Sequence, residues 1–285
     1  RVIFYYYKIY RIKVLNMSVK NILCLGDIIG ITGRYAVRRH LEEIKLEHDI
    51  DFVIANGENA ANGIGITRDT AAELFNSGVN VLTSGNHIWN NRDVFALIGF
   101  ENRLLRPYNY PNESPGLGYY IYDIFDCKIG VINLMGRTFM DALDCPFKKS
   151  NIAIKHIKEK TNIIFIDFHA EATAEKIAFS YYLEGQVSCV FGTHTHVQTA
   201  DEKILSSFTA YISDLGMCGS YDSVIGMKKE AAVSRFVSKI PHRFEVETTS
   251  PMINGIIVQV DTDSGRALSI KRINTVYYND EVERL

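Results

Sequence analysis

The sequence predicts a layered α/β fold, and three observations support that prediction. From residue 21 onward, short apolar runs rich in β-branched residues alternate with amphipathic stretches of helical period. Two pairs of strand patterns with short connections predict antiparallel hairpins. Several of the predicted strands are followed immediately by polar side chains of the kinds that bind metals. Because the sequence shows no internal repeat, low-complexity tract or long linker, residues 17–285 are predicted to form a single domain.

The first half of the chain alternates between strands and helices. The predicted strands are residues 21–25, 52–55 and 79–83. Residues 33–48 place an apolar face opposite a charged one, which predicts a helix packed on a sheet. Residues 67–76 predict a second helix, because Thr67 can serve as its N-cap and Gly78 lies just past its end.

The second half continues the alternation between two predicted hairpins. The first hairpin pairs residues 119–125 with 128–134, and the last pairs residues 253–260 with 267–273. Between them the predicted elements are a helix over residues 150–160, a strand over 163–168, a helix over 171–183 and a strand over 187–191. The order of strand, polar residue and helix thus recurs along the chain.

The composition excludes several classes of protein. The chain has 31 Lys and Arg residues against 33 Asp and Glu residues, so no overall field favours long nucleic acids or anionic membranes. No apolar run approaches the roughly 20 residues that a membrane helix needs, and no membrane association is expected. The five cysteines form no Cys-x-x-Cys pair, which favours reduced thiols in a cytoplasmic protein over disulfides or a structural zinc site.

Residues 1–16 differ from the rest of the chain, since they mix aromatic and basic side chains without the apolar core of a signal peptide. Met17 directly precedes the first strand pattern and is the expected biological start. Residues 1–16 are therefore predicted to be a non-native or disordered extension. A basic and aromatic arm that binds a membrane or RNA is the less favoured alternative.

Metal-binding side chains cluster at the predicted strand ends. They occur in Gly26-Asp27, Gly57-Glu58-Asn59, Gly85-Asn86-His87, at His169 and in Gly192-Thr193-His194-Thr195-His196. Each residue alone has an ordinary explanation, such as a turn cap or a half-buried histidine. Together they would leave costly desolvated groups at one edge unless cations bound there. Carboxylate, carboxamide and imidazole ligands suit divalent first-row metals, so a metallohydrolase is predicted.

The order of these motifs resembles that of the calcineurin-like metallophosphoesterases. That family carries a histidine two residues after the first aspartate, whereas this chain has Ile29 there. The segment from Gly57 to Gly63 is similar to the bacterial YmdB-type phosphodiesterase subgroup, in which the asparagine after the glutamate takes the vacant place, and Asn59 matches it. The resemblance covers nearly everything after Met17. It implies a four-layer αββα sandwich of two mixed β-sheets flanked by helices.

The resemblance also implies a site with two metal ions. One ion would be held by Asp27, Glu58, Asn59 and His196, and the other by Glu58, Asn86, His169 and His194, with Glu58 bridging. The expected metals are iron or manganese, and zinc also fits the ligand set. Paired cations lower the pKa of a shared water and stabilise charge on the attacking and leaving oxygens. His87 beside the site is the expected general acid.

The predicted activity is metal-dependent hydrolysis of small phosphodiesters by a metal-bridging hydroxide. The resemblance implies 2',3'-cyclic nucleotides as substrates and suggests a homo-oligomer. Two alternatives stay open: a nuclease that acts on RNA through the same site, and a metal-binding regulatory protein without significant turnover. The near-neutral composition disfavours RNA, and a complete hydroxide-activating set with His87 disfavours a purely structural role.

Overall fold

The structure is a computed structural model that describes residues 19–278, 280 and 282. Over these residues the strands are β1 Val19–Ile28, β2 Phe52–Asn56, β3 Val81–Thr83, β4 Tyr119–Ile124, β5 Cys127–Met135, β6 Ile164–His169, β7 Cys189–Thr193, β8 Lys203–Ile204, β9 Ala210–Ile212, β10 Met217–Ser220, β11 Pro251–Asp261 and β12 Ala267–Val276. The helices are α1 Gly30–Glu47, α2 Arg68–Asn76, α3 Pro146–Ile157, α4 Thr173–Tyr182 and α5 Lys229–Ser238, with a 3₁₀ helix at Arg92–Ala96. The extension predicted for residues 1–16 lies outside the described residues.

The strands form two mixed sheets of six strands each. The first has the order β12-β11-β10-β1-β2-β3, and the second has the order β4-β5-β6-β7-β9-β8. In the first sheet, β1 is parallel to β2 and β10 but antiparallel to β11. In the second, β5, β6, β7 and β9 are parallel, and β4 and β8 are antiparallel edge strands. Parallel strands bring their carboxyl ends to one edge of a sheet, where α/β proteins place ligands.

The two sheets face each other across an apolar layer. Successive side chains of a strand point to opposite faces of the sheet. In β1, Ile22 and Cys24 pack between the sheets, whereas Leu23 and Leu25 pack toward the helices. In β6, Phe165 likewise lies in the layer between the sheets. The continuous apolar runs seen in the sequence therefore belong to strands that are covered on both faces.

Helices cover the outer face of each sheet. Leu41 of α1 and Leu74 of α2 are buried in the core of the first sheet, and Ile154 of α3 and Phe179 of α4 are buried against the second. The layers are thus helix, sheet, sheet and helix, and the predicted αββα sandwich with two mixed sheets is confirmed. Among the described residues, no helix has both the length and the apolar character to cross a bilayer.

Several element boundaries differ from the prediction. The first helix begins at Gly30 rather than at residue 33, and its N-cap Ile29 makes no side-chain hydrogen bond that could signal the start. Helix α3 begins at Pro146 rather than at residue 150, because proline suits the first helical position. Helix α2 starts as predicted, with Thr67 as N-cap in a capping box. Strands β8 to β10 and helix α5 were not predicted.

Candidate metal centre

The predicted ligands lie at the carboxyl ends of strands, at one edge of the facing sheets. The first sheet contributes Asp27 near the end of β1, Glu58 and Asn59 just after β2, and Asn86 after β3. The second contributes His169 at the end of β6, and His194 and His196 just after β7. All of these side chains are buried or half-buried. Residues far apart in the chain thus come together at one edge of the fold.

One group of ligand atoms surrounds His169 Nε2. Asn86 Oδ1 lies 2.9 Å from this nitrogen and His194 Nδ1 lies 3.0 Å from it. Glu58 Oε1 is 3.2 Å away. The ligand atoms of Glu58, His169 and His194 all lie within 4.8 Å of one another. These four side chains are the set that the resemblance assigns to one ion.

A second group lies on the other side of Glu58. The Asn59 carboxamide nitrogen is 3.2 Å from Glu58 Oε1 and 3.3 Å from His196 Nε2. Asp27 Oδ1 lies 3.8 Å from His196 Nε2, and it is buried without a hydrogen-bond partner among the described residues. A buried carboxylate oxygen without a partner is costly. A cation between Asp27 and His196 would satisfy it.

Glu58 is common to both groups. Its Oε1 faces Asn59 on one side and His169 on the other, and its Oε2 accepts a hydrogen bond from the His87 backbone N–H at 3.0 Å. The carboxylate is fully buried. Glu58 therefore lies between the two groups of candidate ligand atoms.

Each histidine uses its other ring nitrogen to hold its orientation. His169 Nδ1 lies 2.9 Å from the Thr193 hydroxyl oxygen, and His196 Nδ1 lies 3.1 Å from the Ile225 carbonyl oxygen. His194 Nε2 lies 3.1 Å from a Glu171 carboxylate oxygen. When these nitrogens donate, the opposite nitrogen of each ring presents a lone pair to the cluster, as in metal sites with ordered outer ligands.

A buried polar network supports His169 from beneath. Asp167 accepts hydrogen bonds from the Thr193 hydroxyl at 2.6 Å, the Thr83 hydroxyl at 2.5 Å and the Asn56 carboxamide at 3.0 Å. The Thr193 hydroxyl therefore links this carboxylate to the imidazole. No motif in the sequence marks this network, because Asp167 lies inside the apolar run of β6.

The charges of the site favour a cation. Burial raises the pKa of Asp27 well above its ordinary value, because the charged form loses its water. Burial acts in the same direction on Glu58, but attraction to and hydrogen bonding with His169 overcome it and bring the pKa of Glu58 to about 2. Burial lowers the pKa of His169, whereas Glu58 and Asp27 raise it, to about 9. Glu58 and Asp27 thus favour a positive charge beside them, which a bound metal would supply in place of the His169 proton.

The backbone of the His194 to His196 segment is held in an unusual conformation. His194 has φ of 103° and His196 has φ of 65°, in the region that favours glycine. The Thr195 N–H donates to Asp214 at 3.1 Å, and Asp214 forms a buried ion pair with Lys176 at 2.7 Å. Strained residues of this kind occur where function requires a particular direction of the side chain. Here the strain turns two imidazoles toward the cluster.

Two glycines before the ligands are required by close packing. A Cβ on Gly85 would lie 2.1 Å from His169 Cδ2 and 2.5 Å from Glu58 Oε2. A Cβ on Gly192 would lie 1.8 Å from the Ser213 carbonyl oxygen. The glycine that precedes Asn86 in the sequence motif therefore makes room for other ligands rather than for a turn.

Ile29, at the position where the wider family has a histidine, contributes no ligand. It is fully buried and packs with Met217 and Met252. A Cβ on Gly226 would lie 2.5 Å from Ile29 Cγ2, so the two residues are in close contact. Asn59 lies beside His196. It therefore belongs to the group of candidate ligands that lacks a histidine from position 29.

His87 lies at the rim of the cluster. Its Nε2 is 3.2 Å from the Asn86 carboxamide nitrogen, and its Nδ1 is 3.2 Å from Asn90 Oδ1. Together with Asn59 and His196 it lines a cavity of about 600 Å³. The cavity gives a small ligand access to both the candidate ligands and the His87 imidazole.

Facing sheets covered by helices, with carboxylate, carboxamide and imidazole groups gathered at the strand ends, define a protein of the metallophosphoesterase class. Such proteins require divalent metal. The chain belongs to the YmdB-like protein family, whose model matches residues 23–273. The resemblance identified from the sequence is thus confirmed.

Named relatives agree with this assignment. The chain is 42% identical over 252 residues to a 2',3'-cyclic-nucleotide 2'-phosphodiesterase of Bacillus subtilis, and the match covers 88% of this chain and 96% of that protein. A crystal structure of a novel phosphatase from Mycoplasma pneumoniae has 33% identity and a TM-score of 0.86, over 91% of this chain and 94% of that one. A hypothetical protein from Thermus thermophilus has 36% identity and a TM-score of 0.83, over 90% of this chain and 99% of that one. These names are consistent with a phosphoric diester hydrolase, as predicted.

Proposed function

We propose that this chain is a metal-dependent phosphodiesterase that hydrolyses 2',3'-cyclic nucleotides. The observation that carries the proposal is the convergence of seven candidate ligands from two sheets beside a cavity that His87 also lines. The similarity to the Bacillus subtilis enzyme supports the substrate class. The overall charge is near zero, which favours a small substrate over a long polyanion.

The residues present fit two metal ions. We propose that Asp27, Glu58, Asn59 and His196 hold one ion, and that Glu58, Asn86, His169 and His194 hold the other. Burial and the neighbouring His169 lower the pKa of His194 to about 3, which keeps the ring in the neutral form that ligates metals. When bound, such ions activate water and neutralise charge on the phosphate. Iron and manganese are the proposed metals.

His87 is the proposed general acid. Asn90 Oδ1 accepts from His87 Nδ1 and fixes the orientation of the ring. The other ring nitrogen lies on the side of Asn86 and the cluster. When both ring nitrogens are protonated, the imidazolium can deliver the Nε2 proton to the oxygen that leaves the phosphorus and keep its Nδ1 proton on Asn90. The ring is half-buried at the cavity wall, so a substrate oxygen can reach it.

Replacement of His87 by alanine tests this role through the leaving group. We expect H87A to lose about 10²- to 10⁴-fold in kcat on 2',3'-cyclic AMP, the range for a positioned acid. The loss on bis-p-nitrophenyl phosphate should be far smaller, because nitrophenolate leaves without a proton. Metal content, measured by elemental analysis, should not change. The matched control is H156A, since His156 is exposed on α3.

Equal losses on both substrates would contradict the acid role of His87. Cleavage of an RNA oligomer with no activity on 2',3'-cyclic AMP would contradict the proposed substrate class and favour a nuclease. Metal binding without turnover of any of these compounds would favour a regulatory protein. The cytoplasmic location and the homo-oligomer remain predictions from the sequence analysis.

A further inference from the structure

The segment between β10 and β11 covers one side of the site. This segment, residues 221–248, contains α5 and is called here the cover segment. It is packed tightly against the site: a Cβ on Gly63 would lie 2.6 Å from Met227 Cε and 2.9 Å from a Val246 methyl. The Thr32 hydroxyl donates to the Glu247 carbonyl oxygen at 2.5 Å. The two ends of the cover segment are therefore packed against the helix and loop that follow β1 and β2.

The cavity of about 600 Å³ lies between the cover segment and the ligand cluster. Its lining includes Asn59, His87 and His196 of the candidate site, and Ile225, Phe236 and Phe244 of the cover segment. This volume is within the range of small-molecule sites, about 300 to 1,000 Å³. The candidate site thus supplies polar groups to the cavity, and Phe236 and Phe244 of the cover segment supply its aromatic wall.

The aromatic wall leaves ring surface open. Phe236 is 70% exposed and Phe244 is 39% exposed. The Arg235 guanidinium carbon lies 5.0 Å from the Phe244 ring centroid, and no salt bridge of Arg235 occurs within the described residues. Open phenylalanine rings and an arginine plane are the groups on which proteins stack nucleobases.

We propose that the cover segment binds the nucleobase of the substrate, with Phe236, Phe244 and Arg235 as the stacking surface. The inference rests on the proposed function and names the part of the site that selects a nucleotide among phosphodiesters. In a 2',3'-cyclic nucleotide the base is attached to the carbon next to the phosphorylated C2'. When the phosphate contacts the ligand cluster, the base lies about one sugar ring away. Phe236, Phe244 and Arg235 line the same cavity as Asn59, His87 and His196, so the base would meet them there.

The test compares a substrate that has a base with one that lacks it. The full-length protein with its metal is assayed on 2',3'-cyclic AMP and on the 2',3'-cyclic phosphate of methyl ribofuranoside. For F236A and F244A we expect kcat/KM on 2',3'-cyclic AMP to fall about 10- to 100-fold, as expected for loss of base stacking. The change should lie mainly in KM. Activity on the base-free compound should change less than about twofold.

Two further variants keep the test decisive. F244Y retains an aromatic ring and should restore most of the affinity for 2',3'-cyclic AMP. F100A is the matched control, because Phe100 is 89% exposed and does not line the cavity. Circular dichroism and metal content identify any variant that fails to fold. If F244A fails to fold, F236A decides the test, because the Phe236 ring is the more exposed of the two.

The possible outcomes separate this inference from the proposed function. If the wild type hydrolyses neither compound, the proposed function is wrong, and this inference is wrong with it. If the wild type hydrolyses both and the variants lose equally on both, the cover segment only supports the site and base binding is refuted. Unchanged kinetics of F236A and F244A on 2',3'-cyclic AMP would also refute it.

Discussion

The hydroxyl of Thr193 connects a candidate ligand to a buried carboxylate. It lies 2.9 Å from His169 Nδ1 and donates to Asp167 at 2.6 Å. We therefore expect T193V to weaken Mn²⁺ affinity about 10- to 100-fold, the usual cost of losing an outer-shell partner. The valine keeps the volume of threonine but leaves the His169 N–H and Asp167 each short of a partner, so stability should also fall by about 1–3 kcal/mol.

Isothermal titration with Mn²⁺ and urea denaturation measure the two effects of T193V. The control is T275V, since Thr275 is an exposed residue of β12 with no role in the site. Unchanged Mn²⁺ affinity in T193V would show that the network does not orient His169. A loss of stability alone, without loss of affinity, would give the network a structural role only.

Single residues were predictable where a motif marked them. The eight predicted site residues lie together at one edge of the two sheets, although their roles as ligands and acid remain predictions. Asp167 was missed because it lies inside a strand, where no glycine or turn draws attention to it. His40 belongs to no such motif, yet it is buried, stacks on Tyr277 at 3.5 Å and contacts Asp280 at 2.6 Å. Its partners come from the distant end of the chain.

At the scale of the elements, the turn after β3 allows the packing around Gly85 to be tested by the addition of a single methyl group. A Cβ on Gly85 would overlap His169 Cδ2, at 2.1 Å, whereas a Cβ on Gly99 meets no atom within 4 Å. We expect G85A to displace the imidazole, abolish detectable Mn²⁺ binding and cost about 1–3 kcal/mol through overpacking. G99A should match the wild type in both measurements. Wild-type Mn²⁺ affinity in G85A, measured by titration, would contradict the packing described for this site.

Helix α4 supports the histidine segment through Lys176. The Lys176 ammonium donates to Asp214 at 2.7 Å and to the Thr193 carbonyl oxygen at 2.9 Å, and all three residues are buried. We expect K176M to cost about 3–5 kcal/mol, because it leaves Asp214 buried without its cation. Urea denaturation measures the loss. The control is K271M, since Lys271 is exposed on β12.

A double variant separates stability from geometry at the same place. In K176M/D214L both charges are removed, so much of the stability should return. The Thr195 N–H, however, loses its acceptor Asp214. The Mn²⁺ affinity of K176M/D214L should therefore be lower than that of the wild type. Full recovery of affinity would show that the ion pair does not position His194 and His196.

Elements were predictable from sequence where they are long and regular. The buried strands and both hairpins appear as expected, because apolar runs and alternation record the faces that they bury. Strands β8, β9 and β10 have two, three and four residues, too few to show a period. Helix α5 was missed because it buries only Ala232. Its exposed Phe236 lines the cavity rather than the core.

At the scale of the whole molecule, the sandwich explains why the ligands come from two distant parts of the chain. Each sheet brings the carboxyl ends of its parallel strands to the same edge, and the apolar layer between the sheets holds the two edges together. Neither sheet supplies a complete ligand set: the first provides the carboxylates and carboxamides, and the second provides the imidazoles. The fold class was predictable, but the pairing of β1 with both β10 and β11 is a long-range property that local patterns do not record.

Because the site joins both sheets, metal binding should stabilise the whole fold. A ligand that binds only the folded state at 100 times its dissociation constant adds about 2.7 kcal/mol per site. We expect Mn²⁺ to raise the melting temperature of metal-free protein, measured by calorimetry, and a chelator to reverse the change. E58Q should lose most of this rise, because Glu58 contacts both groups of ligand atoms and a carboxamide cannot bridge two cations. E42Q, a change on the exposed face of α1, should behave like the wild type. An equal rise in E58Q would place the bound Mn²⁺ elsewhere on the molecule.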